Sequence, residues 1–164
     1  MKTKEYKKLT NVKSYEKAHS AAVRWCHKYI LLRDLIKVEP SGQLQGQCVA
    51  CGKIWEVNLY QDKSIMNSDK WCAGHYYLSN LNASVRFDER NINLTCYRCN
   101  TYLHGNLAPY KENLVKKIGA EEFEKLTCQK NQVKKLSIID LLEIKKEFQK
   151  KAKARAKELG VKIT

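Results

Sequence analysis

The sequence is poor in residues that break regular structure and poor in acid: 164 residues contain 2 Pro, 7 Gly and 17 Asp plus Glu, against 31 Lys plus Arg. This composition, with a hydrophobic share of 43%, excludes a collagenous repeat, a disordered tail and a disulfide-dense toxin. No stretch approaches the ~20 consecutive apolar residues that a membrane span needs. The opening MKTKEYKKLTNVKSYEKAHS has lysines with no apolar core behind them, so it does not read as a secretory signal. A soluble, cytoplasmic protein with no membrane partner is expected. No internal repeat or low-complexity tract is evident.

What is present is positive charge, unevenly placed. Residues 1–37 carry 10 basic and 3 acidic residues, 38–110 carry 6 and 6, and 111–164 carry 15 and 8, so the whole net charge of +14 sits in the two ends. A neutral centre between basic arms suggests a site for chemistry or structure, flanked by surfaces that hold a polyanion through phosphate contacts. The length suits one domain with helical appendages. We divide it into a basic N-terminal helical arm (1–39), a central core (40–108) and a basic C-terminal helical region (109–164).

Apolar or small residues at Tyr15, Ala18, Ala22, Trp25, Cys26, Tyr29, Leu32 and Ile36 have helical spacing, which predicts a helix from a cap at Ser14 to Lys37, ended by Glu39-Pro40-Ser41-Gly42. Lys53 to Leu59 and Ala73 to Leu78 read as short strands among polar loops. Helical patterning returns after Cys99, with Gly119 ending a helix over 109–118. A last helix should start at Ser137, which with Asp140 forms a capping box. Its apolar stripe (Ile138, Leu141, Leu142, Ile144, Phe148, Ala152, Leu159) either packs on the protein's own core or seams a homodimer. Its other face carries Lys145, Lys146, Lys150, Lys151, Lys153 and Arg155.

Four of the seven cysteines form two C-x-x-C pairs, Cys48/Cys51 and Cys96/Cys99, with 44 residues between them. In a cytoplasmic chain two such knuckles supply four thiolates to a structural zinc rather than a disulfide frame. Gly52 suits a tight knuckle turn, and the helix-like sequence after Cys96 suits a treble clef. Cys26 and Cys128 read as small core residues, and Cys72 is left over once four ligands are counted.

Between and after the knuckles lie His75 in a strand-like stretch, Asn91 five residues before Cys96, then Asn100 and His104. A histidine on a strand, a central asparagine and an Asn or His on the next helix is the order of an HNH nuclease site. Phosphodiester hydrolysis needs a base that can take a proton from water near pH 7, and a cation to stabilise the leaving oxygen. Four residues apart on a helix, Asn100 and His104 would share one face and could share a metal. Each residue also has an ordinary use: a hydrogen-bonded structural histidine, a helix cap, a turn asparagine.

The run Cys48-x-x-Cys51-Gly52, Ala73-Gly74-His75-Tyr76, Arg86-Phe87, Asn91, Cys96-x-x-Cys99-Asn100, Leu103-x-Gly105-Asn106, Tyr110 and Lys117-Ile118-Gly119, with Tyr29-Ile30 and Arg33-Asp34 upstream, resembles the NinG (Rap) recombination endonucleases of lambdoid phages, over roughly residues 25–127. The resemblance implies an α+β treble-clef HNH (ββα-metal) core with a structural four-cysteine zinc site, flanked by basic helices, that cuts branched DNA such as Holliday junctions and D-loops. Carried over by position, Cys48, Cys51, Cys96 and Cys99 hold structural Zn²⁺, His75 is the general base, Asn91 orients the histidine loop, and Asn100 binds a catalytic Mg²⁺ or Mn²⁺. His104 is a second candidate ligand. Many HNH enzymes carry Asp or His just before the catalytic histidine, where this chain has Gly74; His75 itself, Asp69 or Asp88 are the candidates to fill that role. Arg86, Arg90, Arg98, Lys145, Lys146, Lys150 and Lys153 are expected to contact DNA. Two competing readings are a zinc-knuckle nucleic-acid-binding module without catalysis and a sequence-specific HNH homing or restriction enzyme.

Overall fold

The structure is a computed structural model that describes residues 12–57 and 71–163. Asp69 and Leu59 lie outside the described residues. In chain order the elements are α1 (Val12–Arg33), β1 (Leu35–Val38), β2 (Gln43–Gln47), β3 (Ile54–Val57), β4 (Trp71–His75), a 3₁₀ turn (Ala83–Val85), β5 (Ile92–Cys96), a π-helical turn (Arg98–Tyr102), α2 (Leu107–Ile118), α3 (Ala120–Lys130) and α4 (Ile138–Leu159). The class is mixed α+β. No helix among the described residues is long and apolar enough to cross a membrane.

The strands form two antiparallel sheets, β1-β2-β3 and the hairpin β4-β5. Helix α1 runs from Val12 and stops at Arg33, so Ser14 lies inside it rather than capping it. Leu35–Val38, expected as the helix end, instead pairs with Gln43–Gly46 and puts Ile36 in solvent, 60% exposed. Sheet pairing overrides the weak helical continuation of Leu-Ile-Lys-Val, whose β-branched residues suit a strand. A boundary at residue 39 therefore cuts through the β1–β2 hairpin.

The core shows that the two basic helical regions are built into the protein. Trp25, Cys26, Ile30 and Leu32 of α1 and Phe148, Ala152, Ala156 and Leu159 of α4 belong to one buried cluster with Leu44, Trp71, Ile92 and Leu94 of the sheets. The C-terminal stripe thus packs on its own core, leaving Ile139 and Leu142 57% and 44% exposed. The predicted cap is present: the Ser137 hydroxyl accepts from Asp140 N, and Ser137 N donates to the Asp140 carboxylate at 2.7 Å. Arg155 of α4 donates to the carbonyls of Leu32 and Leu35, so a cation satisfies acceptors left open where α1 ends. Cys128, expected in the core, is exposed, whereas Cys26 is fully buried.

A polar network ties the end of α1 to the hairpin. The Arg33 guanidinium clamps the Asp34 carboxylate at 2.8 and 2.9 Å and also donates to the carbonyls of Glu89 and Ile92. Asp34 in turn accepts from Leu94 N and from Lys117 Nζ at 2.8 Å. Burial alone would raise the Asp34 carboxyl, but the bonds from Arg33 and Lys117 outweigh it and hold the group below the usual carboxylate range.

Candidate metal centre and the hairpin histidine

The first knuckle is a turn between β2 and β3. Cys48 N donates to Lys53 O and Gly52 N to Cys48 O, and Gly52 takes a φ of +71°, a left-handed conformation that a glycine adopts without steric cost. Val49 N donates to Leu94 O, which docks this knuckle on β5. The second knuckle begins at the end of β5 and continues into the π-helical turn. Between them the ligand sulfurs of Cys48, Cys51, Cys96 and Cys99 all lie within 4.8 Å of one another, with Cys51 and Cys96 Sγ 4.0 Å apart.

This spacing fits a metal. Four thiolates about 2.3 Å from a tetrahedral zinc stand roughly 3.8 Å from each other. Backbone amides face the sulfurs: Cys96 N donates to Cys48 Sγ at 3.2 Å and Cys99 N to Cys96 Sγ at 3.5 Å, bonds that favour thiolates. Burial pushes the Cys48 thiol up, and that of Cys99 up to about 11, so a bound cation is what would hold these sulfurs deprotonated near pH 7. The four cysteines are positioned to bind a metal ion, consistent with a structural zinc. It is the one group of three or more His, Cys, Asp or Glu in metal-binding range among the described residues.

His75 ends β4, opposite Ile92 of β5. Its Nε2 lies 3.0 Å from the Arg86 carbonyl, which can only accept, so the proton is on Nε2 and Nδ1 keeps the lone pair. Burial lowers its pKa below the ordinary histidine value, so the ring is neutral near pH 7. Asn91, fully buried, binds both edges of the loop that leaves His75: its carbonyl accepts from Tyr77 N, and its amide donates to Tyr77 O and Val85 O. With His19, His27, Ser79, Asn80 and Arg86, His75 lines a cavity of about 310 Å³ between α1 and the loop. The His27 and His75 rings meet edge to face, centroids 5.6 Å apart.

Sequence reasoning misses His19 and His27. The signal for them is present: with Val23 they sit at i, i+4 and i+8, one face of α1.

The other expected residues fall differently. Side chains alternate along a strand, so Gly74 faces away from His75. A Cβ added at Gly74 would stand 2.6 Å from Thr95 Oγ1 and 3.1 Å from Asn100 Oδ1. No Asp or His fits there without displacing its neighbours. Asn100 lies on that side of the hairpin, His75 on the side of α1. His104 is exposed beyond the π-helical turn with a φ of 48°, so the continuous helix that would align it with Asn100 is absent. The proposed donor set of His75, Asn100 and His104 is therefore not assembled, and Asp88 is held by Arg90.

Of the arginines, Arg86 donates to Ser79 O and His19 Nε2, and Arg90 binds Asp88, Glu122 and Gln129, so both help to hold the loop. Arg98 is exposed. On α4, Lys146, Lys150 and Lys153 are exposed and Lys145 is half-buried, whereas Lys151 is paired with Glu89 and Glu147.

The model of the family described as "NinG: Bacteriophage Lambda NinG protein" matches residues 1–158. The chain belongs to the NinG family. It is similar to Protein ninG of Escherichia phage lambda, 33% identical over 106 residues, and to that of Escherichia phage 933W, 32% identical over the same length; each match covers 65% of this chain and 46% of the relative. Protein ninG of Enterobacteria phage H19B is 39% identical over 66 residues, 40% of this chain and 33% of that relative. The matches thus span under half of those NinG proteins. No solved structure matches the chain.

Proposed function

We propose that this NinG-family chain is an HNH-type endodeoxyribonuclease that hydrolyses phosphodiester bonds in branched DNA, Holliday junctions and D-loops among them, on a core held by zinc at the four cysteines. The observation that carries the reading is His75: a neutral imidazole, its tautomer set by the Arg86 carbonyl, lining a cavity beside a loop pinned by Asn91. In the reaction Nδ1 takes a proton from water as the water oxygen attacks phosphorus. The P–O bond to the leaving oxygen breaks, and that oxygen is protonated from solvent. Arg86, fixed at the same cavity, offers positive charge to the phosphate.

The family resemblance also implies Mg²⁺ or Mn²⁺, whose chemistry would be to stabilise charge on the leaving oxygen. The protein donors for that ion are not gathered into one shell, so the role of His75 stands apart from it. Lys145, Lys146, Lys150 and Lys153 of α4 are the candidates to meet phosphates.

A labelled four-way junction with Mg²⁺ or Mn²⁺, run beside a linear duplex and a single strand, tests the proposal. Cleavage of the junction by wild type and its loss in His75→Ala, with junction binding and zinc content kept, is the expected result. Cleavage by His75→Ala at near the wild-type rate would refute the assignment of the base. The close packing at Gly74 favours one other reading, a zinc-knuckle module that binds DNA without cutting it. That reading predicts a gel shift and no nick. A sequence-specific nuclease would instead cut the linear duplex at a defined site.

A further inference from the structure

The segment after the second knuckle presents to solvent a cluster that neither the cysteine site nor the His75 cavity uses. Tyr97 and Tyr102 are 41% and 69% exposed, with ring centroids 5.7 Å apart at 82°. Leu103 and Leu107 are exposed beside them in sequence, as are Arg98 and Thr101. From Arg90 to Lys111 the chain contains no acidic residue.

Aromatic area left in water is unfavourable until something covers it. The local charge decides what fits: an acid-free segment on a chain of net charge +14 suits a ligand that offers both negative charge and flat apolar faces. An unpaired stretch of nucleic acid has both. Bases inside a duplex do not qualify, because their ring faces are already stacked.

The backbone beneath the rings is fixed, since Leu103 N donates to Arg98 O, Gly105 N to Cys99 O, and Cys96 and Cys99 belong to the cysteine cluster. The tyrosines therefore stand on a rigid platform, which limits the entropy lost on binding. We propose that Tyr97 and Tyr102 form a stacking site for unpaired nucleobases, with Arg98 holding an adjacent phosphate. This rests on the DNA-processing reading above and adds to it the feature that separates a branch point from a plain duplex: exposed bases.

The test uses the full-length, zinc-loaded protein and fluorescence anisotropy with three labelled DNAs: a blunt duplex, the same duplex with a central bubble of mismatched bases, and a single strand. Wild type should bind the bubble and the single strand about tenfold more tightly than the duplex, in keeping with stacking energies per base. Tyr97→Ala/Tyr102→Ala should erase that preference and leave duplex affinity within about twofold, because no charge is removed. Tyr97→Phe/Tyr102→Phe should retain it, since a phenyl ring stacks as a phenol does. Tyr97 neighbours a cysteine ligand, so Tyr102→Ala alone, checked for zinc content and circular dichroism, serves if the double variant misfolds.

A wild type without preference, an alanine variant that keeps it, or a folded variant that loses duplex and bubble binding equally would overturn the proposal. So would photocrosslinking from 5-iodouracil in the bubble to a surface other than Tyr97 or Tyr102. A protein that prefers the bubble yet cuts nothing would sink the nuclease reading and leave the stacking site standing. A nuclease that cuts junctions without bubble preference would do the reverse, and a protein that binds no DNA would sink both.

Discussion

Lys117 Nζ lies 2.8 Å from the Asp34 carboxylate, joining residues 83 apart in the chain. Lys117 also donates to Asn93 Oδ1 at 2.8 Å, and Asn93 bonds the Tyr110 hydroxyl, which itself donates to Gly74 O. One carboxylate thus organises the end of α1, the hairpin and α2, the elements that frame both the cysteine cluster and the strand bearing His75.

Removal of that carboxylate leaves Arg33 and Lys117 facing each other without a counterion. Asp34→Ala should destabilise the protein by about 3 kcal/mol, the lower part of the range for breaking a buried ion pair, because Lys117 is partly solvated. Urea titration measures it. Asp34→Asn, which keeps the shape, should recover little of the loss, since the charge is what Arg33 and Lys117 require.

The metal centre predicts about one zinc per chain by elemental analysis, for one tetrahedral shell of four thiolates. Cys96→Ser should give insoluble or protease-sensitive protein, and prolonged chelation should do the same to wild type. A well-folded, zinc-free Cys96→Ser protein would contradict a structural role.

Asn91 makes three hydrogen bonds at zero exposure, so Asn91→Ala should cost about 2 to 3 kcal/mol through the backbone groups it leaves unpaired. On a nuclease reading its cleavage rate should fall with the loop's order, while junction affinity stays near wild type. An unchanged urea midpoint would show that the loop is held elsewhere.

Acid should weaken the fold through His27. Burial, then the neighbouring His75, lowers its pKa to about 4 from 6.5. The folded state therefore refuses a proton that the unfolded chain accepts. Stability is full above pH 6.5, falls as the unfolded state protonates below it, and levels off near pH 4, a loss of about 3 kcal/mol. Urea midpoints across that window should drop less in His27→Gln than in wild type. Parallel slopes would place the acid sensitivity in other groups.

Cutting the chain after Lys135 would remove Phe148, Ala152, Ala156 and Leu159 from the core, so this truncation should unfold the protein rather than leave a smaller binding-deficient one. The DNA contribution of α4 is better read from Lys145→Gln, Lys146→Gln, Lys150→Gln and Lys153→Gln together. The fold should persist, and the slope of log affinity against log salt should flatten by up to about 3 to 4.

Local chemistry makes part of this architecture legible in advance. The C-x-x-C spacing announces a four-sulfur cluster because ligand geometry is short-ranged, and Ser137 with Asp140 announces the start of α4 for the same reason. Leu35–Val38 reads as the end of a helix because its strand character depends on Gln43–Gly46, a partner that helical periodicity does not weigh. Spacing alone puts Asn100 and His104 on one helical face, whereas the left-handed residues at 104–106 break the helix. The structural partners of Arg86 and Arg90 are not legible in advance, because an arginine's sequence neighbours do not disclose carbonyls and carboxylates that folding brings to it. The His27–His75 pair, far apart in the chain, is a tertiary fact of the same kind.

The packing of α1 against α4 also bears on the order in which the protein can be made. The apolar stripe of α1 leaves the ribosome early, and its partner surface is translated only after the sheets, the knuckles, α2 and α3. Metal can join the knuckles before then and the hairpin can cover part of the hydrophobic face of α1, but the part that α4 covers stays open until α4 emerges. The nascent chain should accordingly engage general chaperones through the α4-facing part of residues 18–32 until that late step.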